Sequence, residues 1–163
     1  MYRSGCSPYD RGVTRGEMRC ESGPRPGSRH EGAAGPEQPR IGIVDDDPSV
    51  RTGLRRVLVA SEFVPEAFAT GEEFLRHTGG EGFDCLIFDV RMPGMTGLEL
   101  QRRLLDVGNT TPVIFITGHQ DCAARQEGLG KGAVAWIEKP FGEEELLGWI
   151  RRAIQGAGPA PQA

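Results

Sequence analysis

The sequence predicts an α/β domain in which five parallel strands form one doubly wound sheet covered by five helices. Three observations lead to this. From Arg40 onward, short and nearly continuous apolar runs alternate with helix-like segments five times. Such runs suit strands buried on both faces, the condition of a parallel sheet. Four of the runs then stop at polar residues. Ile41-Gly42-Ile43-Val44 leads into Asp45-Asp46-Asp47, Cys85-Leu86-Ile87-Phe88 into Asp89, and Val113-Ile114-Phe115-Ile116 into Thr117. Ala133-Val134-Ala135-Trp136-Ile137 leads through Glu138 into Lys139-Pro140. The ligand crevice of an open parallel sheet lies beyond the carboxyl ends of its strands.

Each element has a local reason. Asp47 is a natural N-cap for the first helix, with Pro48 at its first position. Val50, Leu54, Val57 and Leu58 then make an apolar stripe at helical spacing. The second run, Phe63 to Phe68, contains Pro65, which donates nothing to a ladder and belongs on an edge strand. Thr70 to Glu73 and Thr96 to Glu99 read as capping boxes opening the second and third helices. The fourth helix, near Asp121 to Leu129, is weak because Gly128 and Gly130 interrupt it, each at about 1 kcal/mol relative to Ala. The last, Glu143 to Ile154, has acids in its first turn and Arg151 and Arg152 in its last, which complements its dipole. An edge position for the second strand fits the flavodoxin-like order 2-1-3-4-5, which sets Asp45 and Asp46 beside Asp89.

Composition divides the chain. Residues 1–39 are dense in Gly, Pro, Ser and Arg and lack periodicity, so a disordered tail is expected there. Residues 40–154 form the predicted domain, and residues 155–163 a flexible end without a helix-turn-helix, which favours a stand-alone module. The tail carries six Arg and five acids, whereas the remainder holds 13 basic and 18 acidic residues. An acidic domain is a poor candidate for duplex contact, where Lys and Arg dominate affinity, so direct DNA binding is not expected. No secretory signal or membrane-length apolar run is present, which points to a soluble cytoplasmic chain with no membrane partner. The four cysteines show no metal or disulfide spacing, and Cys85 reads as a small buried apolar residue.

The convergent strand ends define a candidate site. Carboxylates about 4 Å apart repel by roughly 4 kcal/mol at an effective dielectric near 20, so a cluster of them calls for a cation. An all-oxygen donor set suits Mg²⁺, with Asp46 and Asp89 as direct ligands and Asp45 acting through a water. Asp47 is accounted for as an N-cap, but Asp89 ends a separate run and is not. A carboxylate beside a divalent cation and an ammonium can attack a phosphoryl group. Asp89 is therefore the candidate nucleophile, and Lys139 and the Thr117 hydroxyl are the candidate phosphoryl-binding groups. Thr117 is equally readable as a β-branched strand residue, and the Lys139–Pro140 bond is open to either isomer.

Four strings carry a resemblance: Val44-Asp-Asp-Asp-Pro-Ser-Val-Arg51, Asp89-Val-Arg-Met-Pro-Gly-Met-Thr-Gly97, Ile116-Thr-Gly-His119 and Glu138-Lys-Pro-Phe141. In order and spacing they resemble the receiver domain of two-component response regulators, the nitrogen-fixation-regulator type above all, over Arg40 to Ile154. The resemblance implies that Asp89 takes a phosphoryl group from a sensor histidine kinase or a histidine phosphotransfer protein, with Mg²⁺ required. It implies that Asp46, Asp89 and the backbone carbonyl of Arg91 hold the metal. Thr117 and the aromatic at position 136, here Trp136 where relatives carry Tyr or Phe, would form the switch. That switch would alter the face of the fourth helix, fifth strand and fifth helix toward an unidentified downstream protein or relay. Arg91 and His119, two residues beyond Asp89 and Thr117, would tune dephosphorylation. Homodimerisation is left open.

The protein would thus be a signalling phosphoacceptor rather than an enzyme, with self-phosphotransfer and autodephosphorylation its only catalysis. The alternative is a Mg²⁺-dependent phosphohydrolase of haloacid-dehalogenase type. Asp45-Asp46-Asp47 matches its D-x-D nucleophile motif, but there is no cap insertion and Asp89 has no role.

Overall fold

Arg40–Val44 forms β1, Val64–Phe68 β2, Cys85–Asp89 β3, Val113–Thr117 β4 and Ala135–Glu138 β5. Between and after them lie α1 (Pro48–Ala60), α2 (Gly71–His77), α3 (Gly97–Asp106), α4 (Cys122–Gly130) and α5 (Glu143–Ile154). These come from a computed structural model that describes residues 38–77 and 82–156. All strand pairs are parallel, in the order β2-β1-β3-β4-β5. The strand with Pro65 is at the edge, as the missing donor requires.

Side chains alternate across the sheet. Ile114 and Ile116 of β4 face a core shared with Leu54 and Leu58 of α1 and Leu146 and Ile150 of α5. Val113 and Phe115 face the other core, with Phe74 of α2 and Leu100 and Leu104 of α3. On that second face a row of rings crosses the sheet: Phe68–Phe74 at 5.2 Å, Phe74–Phe88 at 5.7 Å, Phe88–Phe115 at 6.3 Å and Phe115–Trp136 at 5.4 Å.

The helix starts follow the expected chemistry. Asp47 accepts from Ser49 N at the start of α1. Thr96 and Glu99 form a complete capping box on α3. On α2 the box is displaced: Thr70 Oγ1 accepts from Glu73 N, while Glu73 reaches the N–H of Ala69 instead of that of Thr70. Two expectations change. β5 begins at Ala135, because Ala133 N bonds to Gly128 O in a turn before the ladder resumes. Gly128 also has a packing role, with Phe115 and Leu98 closing on the space a Cβ would need.

The expected tail lies outside the described residues apart from Gln38 and Pro39, whose carbonyl accepts from Val64 N. Of the expected flexible end, residues 157–163 also lie outside them. Among the described residues, no helix is long and apolar enough to cross a membrane.

Candidate acidic phosphoacceptor site

The site lies at the carboxyl edge of the three central strands and β5. Val44 pairs with Phe88, Asp89 with Ile116 and Thr117 with Glu138, so the residues that end these strands are brought level. One carboxylate oxygen from each of Asp45, Asp46 and Asp89 lies within 4.8 Å of the others. Asp45 and Asp89 are buried, and Asp46 is exposed on the rim. Lys139 Nζ reaches between the strands to Asp45 Oδ2 at 3.1 Å and Asp89 Oδ1 at 3.4 Å. The Lys139–Pro140 peptide is cis.

Local bonds hold this arrangement. Asp45 N donates to Phe68 O at 3.2 Å, and Asp45 Oδ1 accepts from Asp47 N at 2.8 Å. Both Asp45 carboxylate oxygens are thus engaged by the protein, which suits a part at one remove from a bound cation. Behind Asp89, the chain turns from β3 into α3 with Gly97 N donating to Val90 O. A Cβ at Gly97 would collide with the Asp89 carbonyl oxygen, so only glycine lets α3 start this close.

The electrostatics are those of a crowded anionic pocket. Burial, partly offset by Lys139 and reinforced by Asp45 and Asp46, pushes the Asp89 carboxyl up to about 6. Burial works against the Lys139 ammonium, but its bonds to Asp45 and Asp89 prevail and hold it above the ordinary lysine value. An acid only partly compensated by Lys139, beside two more carboxylates and, among the described residues, no softer donor in the cluster, fits a hard divalent cation such as Mg²⁺.

The remaining predicted residues surround this centre. Thr117 is buried at its strand end, but its Oγ1 donates to His119 O and accepts from His119 N, both at 3.1 Å. The hydroxyl is therefore tied to its own loop. His119 is exposed beyond it. Arg91 is exposed too and extends its guanidinium to Asp121 Oδ2 at 3.5 Å. Trp136 is partly buried, its ring tilted by 50° against Phe115. Cys85 is buried, and burial pushes its thiol up to about 12, as an inert core residue requires.

Two contacts escaped the sequence reading. Arg51, the fourth residue of α1, donates from Nη1 to Asp45 O at 2.6 Å. Asp121 both caps α4, accepting from Ala124 N at 3.0 Å, and pairs with Arg91. The sequence reading placed Asp121 only at the approximate start of the fourth helix, with neither role.

Residues 41–151 match the response regulator receiver domain family. The response regulator protein TodT of Pseudomonas putida is 42% identical over 115 residues, 71% of this chain and 51% of TodT. The transcriptional regulatory protein FixJ of Bradyrhizobium diazoefficiens is 36% identical over 123 residues, 76% of this chain and 60% of FixJ. Among solved structures, the chemotaxis protein CheY4 of Vibrio cholerae aligns with a TM-score of 0.66 at 32% identity, over 71% of this chain and 98% of that one. The chain spans about half the length of the curated relatives it matches. These relatives correct the expectation of no direct DNA binding, since one of them is a transcriptional regulatory protein. The acidic balance describes the surface of one domain and excludes nothing for a regulator that contains it. Matched by that family's model over residues 41–151, and with the same fold as its solved relatives, the chain belongs to the response regulator receiver domain family.

Proposed function

We propose that Asp89 is the phosphoacceptor of a Mg²⁺-dependent reaction with the phosphohistidine of a sensor kinase or phosphotransfer protein. An Asp89 oxygen attacks phosphorus as the P–N bond breaks, and the imidazole leaves with the electron pair. The carrying observation is the convergence of Asp45, Asp46, Asp89 and Lys139, from three separate strands, on one pocket. Asp46, Asp89 and the Arg91 carbonyl would hold Mg²⁺, with Asp45 acting through a water. Bound there, Mg²⁺ supplies the positive charge that lets an anionic nucleophile meet an anionic phosphoryl group. Lys139 is placed to exchange a carboxylate partner for a phosphoryl oxygen.

The switch follows from charge. Phosphorylation adds about −1.5 to −2 charges and three strong acceptors. The Thr117 hydroxyl, now donating to His119 O, has a better acceptor to turn to. Movement of Thr117 vacates space into which the ring of Trp136, already packed against Phe115, swings inward, and this changes the α4–β5–α5 face by shifting an existing equilibrium. Arg91 and His119 flank the path of water to the phosphoryl group and would tune its loss. The D-x-D hydrolase reading fares worse, because the Asp47 carboxylate is spent on capping Ser49 N at 2.8 Å.

Incubation with Mg²⁺ and acetyl phosphate, followed by mass spectrometry, tests the acceptor. One added phosphoryl group on Asp89, lost in Asp89→Asn, is expected. Label that persists in that variant, or turnover of many phosphoesters without labelled protein, would overturn the proposal. In a Trp149→Phe background the emission of Trp136 should shift on labelling.

A further inference from the structure

We infer that Arg51 is a positioning residue for the acidic site. By holding the Asp45 carbonyl it sets the bend that aims the Asp45 and Asp46 side chains at Asp89. Asp45 is held at four points: its N–H by Phe68 O, Oδ1 by Asp47 N, Oδ2 by Lys139 Nζ, and its carbonyl by Arg51 Nη1 at 2.6 Å. The first two are backbone contacts that come with the fold, and the third belongs to the site itself. Only the fourth depends on a side chain with no other partner role in the site.

That fourth contact controls Asp46. The Asp45 carbonyl and the Asp46 N–H share one rigid peptide plane. Fixing the oxygen therefore fixes the direction in which Asp46, the exposed member of the cluster, leaves the chain. A guanidinium suits this task because its planar donors are pre-organised and its bond to oxygen is short and charge-assisted.

Placement adds an independent argument. Arg51 is in the amino-terminal part of α1, where the helix dipole disfavours a cation, and the first turn adds no acid to the capping carboxylate of Asp47. A residue so placed needs another reason to carry charge, and the bend at Asp45 supplies it.

This inference rests on the reading that the acidic cluster holds Mg²⁺. The test is calorimetric titration of the full chain and its Arg51 variants with MgCl₂, with thermal melts recorded in metal-free buffer. Arg51→Ala should weaken Mg²⁺ binding by about tenfold, the usual scale for loss of a group that orients a ligand. This is a demanding direction, since removing a cation beside three carboxylates would by charge alone tighten binding. Arg51→Lys, which keeps a donor and the charge, should stay closer to the parent than Arg51→Ala. Arg51→Met keeps the aliphatic stem and replaces Arg51→Ala if the latter fails to fold. Affinity in the donor-less variant equal to or tighter than the parent would overturn the inference. So would a lowered melting temperature with unchanged affinity, the mark of a merely structural residue. Absence of Mg²⁺ binding in the unsubstituted chain would instead bring down the underlying reading, and the inference with it.

Discussion

The Lys139 ammonium lies 3.4 Å from the Asp89 carboxylate, although the two residues are 50 positions apart and β4 runs between their strands. The same nitrogen bonds to Asp45 at 3.1 Å, so one cation serves two buried acids. Lys139→Ala removes the largest influence that holds down the Asp89 pKa and leaves burial and two like charges unopposed. The variant should be destabilised by about 2 kcal/mol, less than a fully buried pair would lose because the Lys139 side chain is 26% exposed. Its labelling by acetyl phosphate should slow by about a hundredfold, the scale of one lost oxyanion contact. Denaturant unfolding and time-resolved labelling measure the two effects separately.

The raised pKa of Asp89 has a stability consequence whose sign is opposite to that of most carboxylates. Its carboxyl titrates near 3.8 when unfolded and near 6 in the folded protein. Between those values the native state binds the proton more tightly, so this group's contribution is most favourable below about pH 4, declines with rising pH and levels off above about 6. The shift corresponds to about 3 kcal/mol at full extent. Asp89→Asn should therefore be more stable than the parent at pH 7.5, by about 1–3 kcal/mol once the weakened hold on Lys139 is counted. The gap should close toward pH 4. Urea unfolding of both proteins at the two pH values cancels the titrating groups that Asp89 does not influence. An equal gap at both would refute the argument.

Mg²⁺ should relieve the same repulsion. A ligand that binds only the folded chain stabilises it by about 2.7 kcal/mol at a hundred times its dissociation constant. Melting temperature is expected to rise with MgCl₂ and to fall back on chelation. The pH-dependent decline described for Asp89 should flatten as the cation takes over from the proton. Asp46→Asn, which changes an exposed residue and should fold normally, is expected to lose most of this response.

Much of the fold and the centre of the site could be read from the sequence because both follow from one pattern. An apolar run that ends in a polar residue marks the carboxyl end of a buried parallel strand, and Asp45, Asp89, Thr117 and Lys139 were found that way. Pro65 located the edge through a missing donor. What escaped depends on side-chain direction across loops, to which periodicity is blind. The Arg51 bond to the Asp45 carbonyl, the Arg91–Asp121 pair and the Thr117 hydroxyl's turn toward His119 are all of this kind. The start of β5 was misplaced because Ala133 and Val134 are buried whether or not they join the ladder. The charge argument against DNA erred differently, by extending a property of one domain to whole regulators.

Gly128 and Gly130 look alike in the sequence, as two interruptions of a weak helix, but they differ in their surroundings. A Cβ at Gly128 would stand 2.9 Å from Phe115 Cε2 and 3.2 Å from Leu98 Cδ2, whereas one at Gly130 meets nothing within 4 Å. Gly128 O also accepts from the buried Gln101 Nε2 at 3.3 Å, which ties α4 to α3 at the same spot. Alanine is the better helix former by about 1 kcal/mol, so propensity alone favours both substitutions. At Gly128 overpacking should outweigh it, for a net destabilisation of about 1–2 kcal/mol. At Gly130 the gain should survive, at a few tenths up to about 1 kcal/mol. Because Phe115 also contacts Trp136, Gly128→Ala should perturb Trp136 emission in a Trp149→Phe background, while Gly130→Ala should not. Equal stability changes in the two variants would mean that α4 stands farther from β4 than this packing requires.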